Sequence, residues 1–167
     1  MPDAPRRVAD SASVLSELVM PNDANPLGSL FGGKLVQWVD LAASIAAARH
    51  ARCHVVTASI DSMTFLRPVR IGQVVILKSS VNRVFRTSME VGVKVFVEDL
   101  PTGECKHVSS AYLTFVAVDK EGNRLPMAPL EIDAENPDEA RRHTGAGLRR
   151  EYRLQLKQRT LERDAAG

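Results

Sequence analysis

GGKLVQWVDLAASIAAARH, residues 32–50, decides how the rest of the chain must be arranged. Leu35, Trp38, Val39, Ala42, Ile45 and Ala46 recur at three- and four-residue spacings, which predicts a helix. Arg49 and His50 fall in its last turn, where the macrodipole favours cations. Five alanines and few polar side chains make it a core helix, apolar on most sides. One residue disagrees with that surface. Asp40 lies in the second turn, and burying a carboxylate is costly unless it is paired, hydrogen-bonded or used.

Downstream of His54 the apolar period drops from about 3.6 to 2. Met89, Val91, Val93, Val95 and Val97 form one face of a strand, opposite Glu90, Gly92, Lys94, Phe96 and Glu98. Strands are expected near Val55–Met63, Val74–Val84, Ser88–Glu98 and Lys106–Val118, separated by RPVRIG, the Arg83–Arg86 region and the hairpin turn DLPTGE. Upstream, Ser11–Met20 reads as a first strand ended by Pro21. One helix followed by long antiparallel strands, without βαβ units, predicts an α+β domain: a curved sheet folded around a single buried helix. Residues 1–10 read as a polar leader, 11–130 as the domain, and 131–167 as a helical basic extension. Asn136-Pro137-Asp138-Glu139 starts that extension, and Gly145 and Gly147 are expected to interrupt it.

Composition narrows the function. A chain of 167 residues, 44% hydrophobic and 25% charged, matches one globular domain, and a formal charge of +2 is too small to argue for nucleic acid. Cys53 and Cys105 form no metal or disulfide pattern, which fits a reducing compartment. No stretch reads as a signal peptide or a membrane span, so the expectation is a cytoplasmic protein without membrane insertion. His54 and His107 lack a metal-ligand spacing. In the tail, Leu148, Tyr152, Leu156 and Thr160 recur every fourth residue among arginines, which reads as a solvated or partner-facing helix.

The order PNDANPLGSLFGG, then the Asp40 helix ending ARH, then FLRPVRIGQVV resembles the hotdog-fold acyl-CoA thioesterases, in the acyl-CoA hydrolase branch that includes the YciA-like and brain acyl-CoA hydrolases. The similarity runs over roughly residues 15–120. It implies a long central helix wrapped by five or six antiparallel strands, homodimers that commonly assemble into hexamers as trimers of dimers, and an acyl-CoA substrate with no separate cofactor or metal. It also implies an active site at the dimer interface, with Asn25 from one subunit and Asp40 from the other.

Thioester hydrolysis needs an activated water or a carboxylate nucleophile, and donors where the carbonyl oxygen becomes negative. Asp40 suits either of the first two roles. Backbone amides at Gly32 and Gly33 open the helix at the positive end of its dipole, and Asn25 is the side-chain donor. The resemblance places the coenzyme A nucleotide near Arg86-Thr87-Ser88, with Arg67, Arg70 and Lys78 as further phosphate candidates. Each role has a plainer competitor. Asp40 could pair with Arg49 or His50 across a subunit boundary, Asn25 could be a turn residue, the glycines could serve packing, and Arg86–Ser88 could be a solvated turn. A non-catalytic acyl-CoA binding or sensing module on the same fold is the alternative function. A dehydratase would want a catalytic His paired with an acid, and His50 and His54 sit at the wrong end of the helix for that.

Overall fold

The computed structural model describes residues 4–166. In chain order it contains β1 (Arg6–Arg7), α1 (Val8–Ser11), β2 (Ser13–Leu18), a 3-10 turn (Pro21–Asp23), α2 (Gly32–Ala51), β3 (His54–Ile60), β4 (Val74–Val84), β5 (Ser88–Asp99), β6 (Glu104–Val118), β7 (Leu130–Glu131) and α3 (Pro137–Ala166). The chain divides into two compact units, Met1–Glu131 and Ile132–Gly167.

In the first unit five antiparallel strands are ordered β2-β4-β5-β6-β3 and curl over α2. The alternation seen in sequence is realised: Met89, Val91, Val93, Val95 and Val97 are all buried, facing the Leu35, Trp38, Val39, Ala42, Ala43, Ala46 and Ala47 side of the helix. Alanine at the contact lets helix and sheet approach closely. Ser79 Oγ uses that closeness, donating to the Ala42 carbonyl at 2.7 Å from within the core. The helix is nevertheless not buried all round. Gly33, Gln37, Leu41 and Ala48 form an exposed stripe, with Leu41 47% exposed, because one sheet covers only one side of a helix.

A bulge at Asn82 shifts the β4–β5 register between Val81 and Arg83. Asn82 Nδ2 donates to the buried Glu90 Oε1 at 3.0 Å, and a Cβ on Gly92 would lie 2.7 Å from that same nitrogen. Glycine at 92 thus makes room for the amide.

Two expectations are corrected. Residues read as a polar leader carry structure: β1 pairs in parallel with β7, and Ser11 ends α1 rather than opening the first strand. Its buried Oγ donates to Val8 O and accepts from Val81 N. In the second unit α3 runs unbroken through Gly145 and Gly147. Interior glycine costs only about 1 kcal/mol each relative to alanine, and the strong start, with Asn136 Oδ1 accepting from the Asp138 and Glu139 amides, favours propagation.

His50, fully buried near the end of α2, ties the helix to the segment before β7. Its Nε2 hydrogen-bonds the Ala128 carbonyl at 2.9 Å, while Nδ1 has no partner among the described residues. Arg6 donates to the His50 carbonyl. Burial foremost, with the Arg6 charge adding and the Ala128 bond and Asp10 opposing, holds the imidazole pKa below its ordinary value. In the unfolded chain the ring protonates as pH falls through about 6.5, whereas in the folded chain it stays neutral to lower pH. The unfolded state then binds more protons, so stability present above pH 6.5 is lost as pH falls below it. Urea unfolding at pH 7.5 and 5.5 is expected to show a pH-dependent loss that His50→Gln reduces; equal losses in both proteins would contradict this.

Candidate active site

The loop before α2 is organised by Asn25. Its Oδ1 accepts from the Leu27 and Ser29 amides at 2.9 and 3.2 Å, its N–H reaches Ser29 O, and Gly28, at φ 73°, donates to its carbonyl. The turn role is therefore real, and it fixes the side chain. With the oxygen committed to two N–H groups, the NH2 end is the outward donor, and it makes no hydrogen bond among the described residues.

α2 begins at Gly32 with no side-chain cap. Lys34 and Leu35 amides already return to the Phe31 carbonyl, leaving the Gly32 and Gly33 N–H groups without an acceptor among the described residues. A Cβ on Gly33 would come within 2.9 Å of Phe31 Cε1, and one on Gly32 would rest at 3.6 Å from Phe65 Cζ. Two exposed rings thus flank the free amides, and glycine at 33 is required for the Phe31 ring to lie there. A cavity of about 470 Å3 opens beside them against Asn22, Lys34 and Gln37, and Lys34 Nζ is held 3.5 Å from Asp23 Oδ1.

Asp40 is half-buried rather than enclosed in the core. Its partner is Thr57 on β3, whose Oγ1 donates to Asp40 Oδ1 at 2.8 Å. Neither Arg49 nor His50 pairs with it in this chain: Arg49 donates to the Ala12 carbonyl and His50 bonds Ala128. The sequence reading missed Thr57, because a threonine in an exposed strand carries no signal until α2 and β3 are placed side by side.

Eight residues separate Gly32 from Asp40, about 12 Å along a helix axis at 1.5 Å per residue. One carbonyl group cannot contact both within one chain. Arg86-Thr87-Ser88 forms the β4–β5 turn, with Phe85 N donating to Ser88 O and Ala117 N to Thr87 O. Ser88 pairs with Val116 and Thr57 with Phe115 on either side of β6, so this turn shares a sheet end with Asp40 and Thr57. Arg67 is elsewhere. It follows Leu66, whose amide bonds Val108 O, nine residues down β6 from Ala117 and so about 30 Å away at ~3.3 Å per residue. Within one chain Asn25, Gly32, Gly33 and Arg67 gather at one place, and Asp40, Thr57 and Arg86–Ser88 at another.

Among the described residues no group of three or more His, Cys, Asp or Glu could hold a metal. Burial pushes the Cys53 thiol up, away from nucleophilic use. No helix of the described residues is long and apolar enough to cross a membrane.

An antiparallel sheet curled on one long helix, with an acid in mid-helix and free amides at its start, defines a hotdog thioesterase. The Thioesterase superfamily model matches residues 27–104. The chain is 44% identical over 126 residues to an uncharacterized acyl-CoA thioester hydrolase of Bacillus subtilis, YkhA, covering 75% of this chain and 73% of that protein. It is similar to an apo-hexameric acyl-CoA thioesterase, with a TM-score of 0.88 and 37% identity over 93% of this chain and 98% of that one. It is also similar to an acyl-CoA hydrolase from Staphylococcus aureus solved with butyryl coenzyme A and coenzyme A, with a TM-score of 0.85 and 30% identity over 96% and 98% of the two chains. That hydrolase has been solved as alanine variants of an asparagine, an aspartate and a threonine. The chain belongs to the thioesterase superfamily, and within it is an acyl-CoA thioester hydrolase.

Proposed function

We propose that the enzyme hydrolyses acyl-CoA to a free fatty acid and coenzyme A at sites shared by two copies of the chain. Asp40 and Thr57 come from one subunit and Asn25 with the Gly32 and Gly33 amides from the other. The observation that carries this reading is the Thr57–Asp40 hydrogen bond, which orients the carboxylate at a distance from its own helix start that no single thioester carbonyl spans. The Staphylococcus aureus variants support it, since the successive separations of the three substituted residues, 15 and 17, are those of Asn25, Asp40 and Thr57.

With Oδ1 held by Thr57, Oδ2 faces the substrate. It takes a proton from water as the water oxygen bonds to the carbonyl carbon; alternatively Oδ2 itself attacks, giving a mixed anhydride that water cleaves. Negative charge on the carbonyl oxygen is received by the two glycine amides and Asn25 Nδ2. The C–S bond then breaks, and the thiolate of coenzyme A takes the proton. These groups suffice without a metal or redox cofactor, coenzyme A entering only as part of the substrate. The dimers assemble further as trimers of dimers, by analogy with the hexameric relative, and the enzyme works in the cytoplasm.

Thr57→Val is expected to lower kcat on short-chain acyl-CoA about tenfold with little change in KM, because a positioning bond to the base matters most in the transition state. Thr57→Ser should retain most activity. A Thr57→Val enzyme turning over at the wild-type rate would remove the orienting role and, with it, the main support for this site.

A further inference from the structure

Between Gly33 and Asp40, α2 has one exposed side chain, that of Gln37. Gly33, Gln37 and Leu41 are four residues apart and Asp40 follows Gln37 by three, so helical periodicity puts all four on one face. Gln37 also lines the cavity of about 470 Å3 with Phe31, Gly33 and Lys34, and its amide makes no hydrogen bond among the described residues.

The place of Gln37 in a shared site follows from symmetry. If the Gly32 and Gly33 amides of one copy meet Asp40 of the other, a two-fold axis makes the reverse contact as well. The two helices then run antiparallel, and the axis crosses them midway between those positions, beside Val36 and Gln37. Each Gln37 there faces its own mate. A side-chain amide carries both donor and acceptor, so two of them across a two-fold satisfy each other.

The same geometry selects the part of the substrate that points inward. Gly32 and Asp40 are about 12 Å apart along the helix, so each reacting carbonyl lies about 6 Å from the axis, measured along α2. Two coenzyme A arms sent towards the axis would collide, because each is far longer than that distance. The acyl group is the part short enough to enter, and it has roughly the room of a butyryl chain before it reaches the Gln37 pair.

We propose that Gln37 sets the acyl-chain length: the two Gln37 side chains close the inner ends of both acyl channels at the two-fold axis and restrict the enzyme to short acyl groups. This rests on the thioester being cleaved between Gly32 and Gly33 of one subunit and Asp40 of the other. Bulk is the operative property, since a chain running past the axis must take the volume of these side chains and leave their amides unpaired.

The test is the ratio of kcat/KM on octanoyl-CoA to that on butyryl-CoA, measured on the intact oligomer. The wild type should prefer butyryl-CoA. Gln37→Ala is expected to raise the ratio by about tenfold, because each methylene newly accepted by a pocket is worth about that much. Gln37→Met keeps the bulk without the amide, and its ratio should stay closer to wild type than to Gln37→Ala. Alanine and methionine are both good helix formers, and position 37 is exposed in the single chain, so both variants should fold. An unchanged ratio in Gln37→Ala, or the same rise in Gln37→Met, would overturn the assignment, as would a wild type that prefers octanoyl-CoA. Failure of the shared-site reading appears elsewhere, as mixed dimers of Asn25→Ala and Asp40→Asn chains that stay inactive.

Discussion

Asp40→Asn should lower kcat on acyl-CoA by at least ~100-fold while KM and the melting temperature stay close to wild type. The amide nearly matches the carboxylate in shape, and its oxygen can still accept the Thr57 hydroxyl at the position of Oδ1. What is lost is the ability of the other atom to take a proton or attack carbon. Because Asp40 is half-buried and has no ion pair among the described residues, removing its charge leaves no buried partner uncompensated. Steady-state kinetics beside thermal unfolding separates the outcomes. A folded variant hydrolysing at the wild-type rate would end the catalytic assignment, and one that unfolds would make Asp40 a structural acid.

How much of this architecture could be read beforehand depended on whether the determining interaction was local. The 3.6-residue pattern placed α2 to within two residues of Gly32–Ala51, and period-2 alternation placed β4 at Val74–Val84 and the core face of β5. Those patterns report burial along one element, which the element's own residues encode. Asp40 was visible for the same reason, as a charge in an apolar helix. Apart from the glycines of α3, a local propensity overridden within one helix, the misses are relations between elements. That α2 keeps an exposed stripe through Leu41 depends on how much of it the sheet covers. That Thr57 meets Asp40 depends on the β3 register, which itself shifts between Thr57 and Ser59. That Arg67 and Arg86 lie far apart follows from the lengths of β5 and β6, not from their spacing in sequence. The left-handed backbone of Arg52 is likewise visible only where the helix stops.

These relations also give the reason for proposing that the site is divided between two chains. The two groupings, Asn25 with Gly32 and Gly33, and Asp40 with Thr57, are each locally finished: the first by a turn that spends the Asn25 oxygen, the second by one hydroxyl. On the proposed roles, neither contains both a base and an oxyanion donor. The exposed stripe of α2 through Leu41 adjoins Asp40, and β3 is an edge of the five-stranded sheet, so the surface beside the acid is open to a second copy.

Mixing two dead enzymes should therefore restore activity. Asn25→Ala and Asp40→Asn homo-oligomers are each expected to be nearly inactive, since every shared site in the first lacks the amide donor and every one in the second lacks the carboxylate. When equal amounts exchange subunits, about half of all dimers are mixed, by the statistics of a two-fold interface. In a mixed dimer one site combines the intact Asn25 of one chain with the intact Asp40 of the other, and the second site carries both substitutions. Independent sites then give roughly a quarter of wild-type activity, a gain of more than an order of magnitude over either parent if each retains about 1% or less. Exchange is verified by native mass spectrometry with one variant isotopically labelled. If mixed dimers form and activity does not rise above the parents, Asn25 and Asp40 serve one site from one chain, and a site divided between subunits is excluded. The Gly32-to-Asp40 separation gives the reason to expect the opposite, because about 12 Å of rigid helix cannot be closed by side-chain movement.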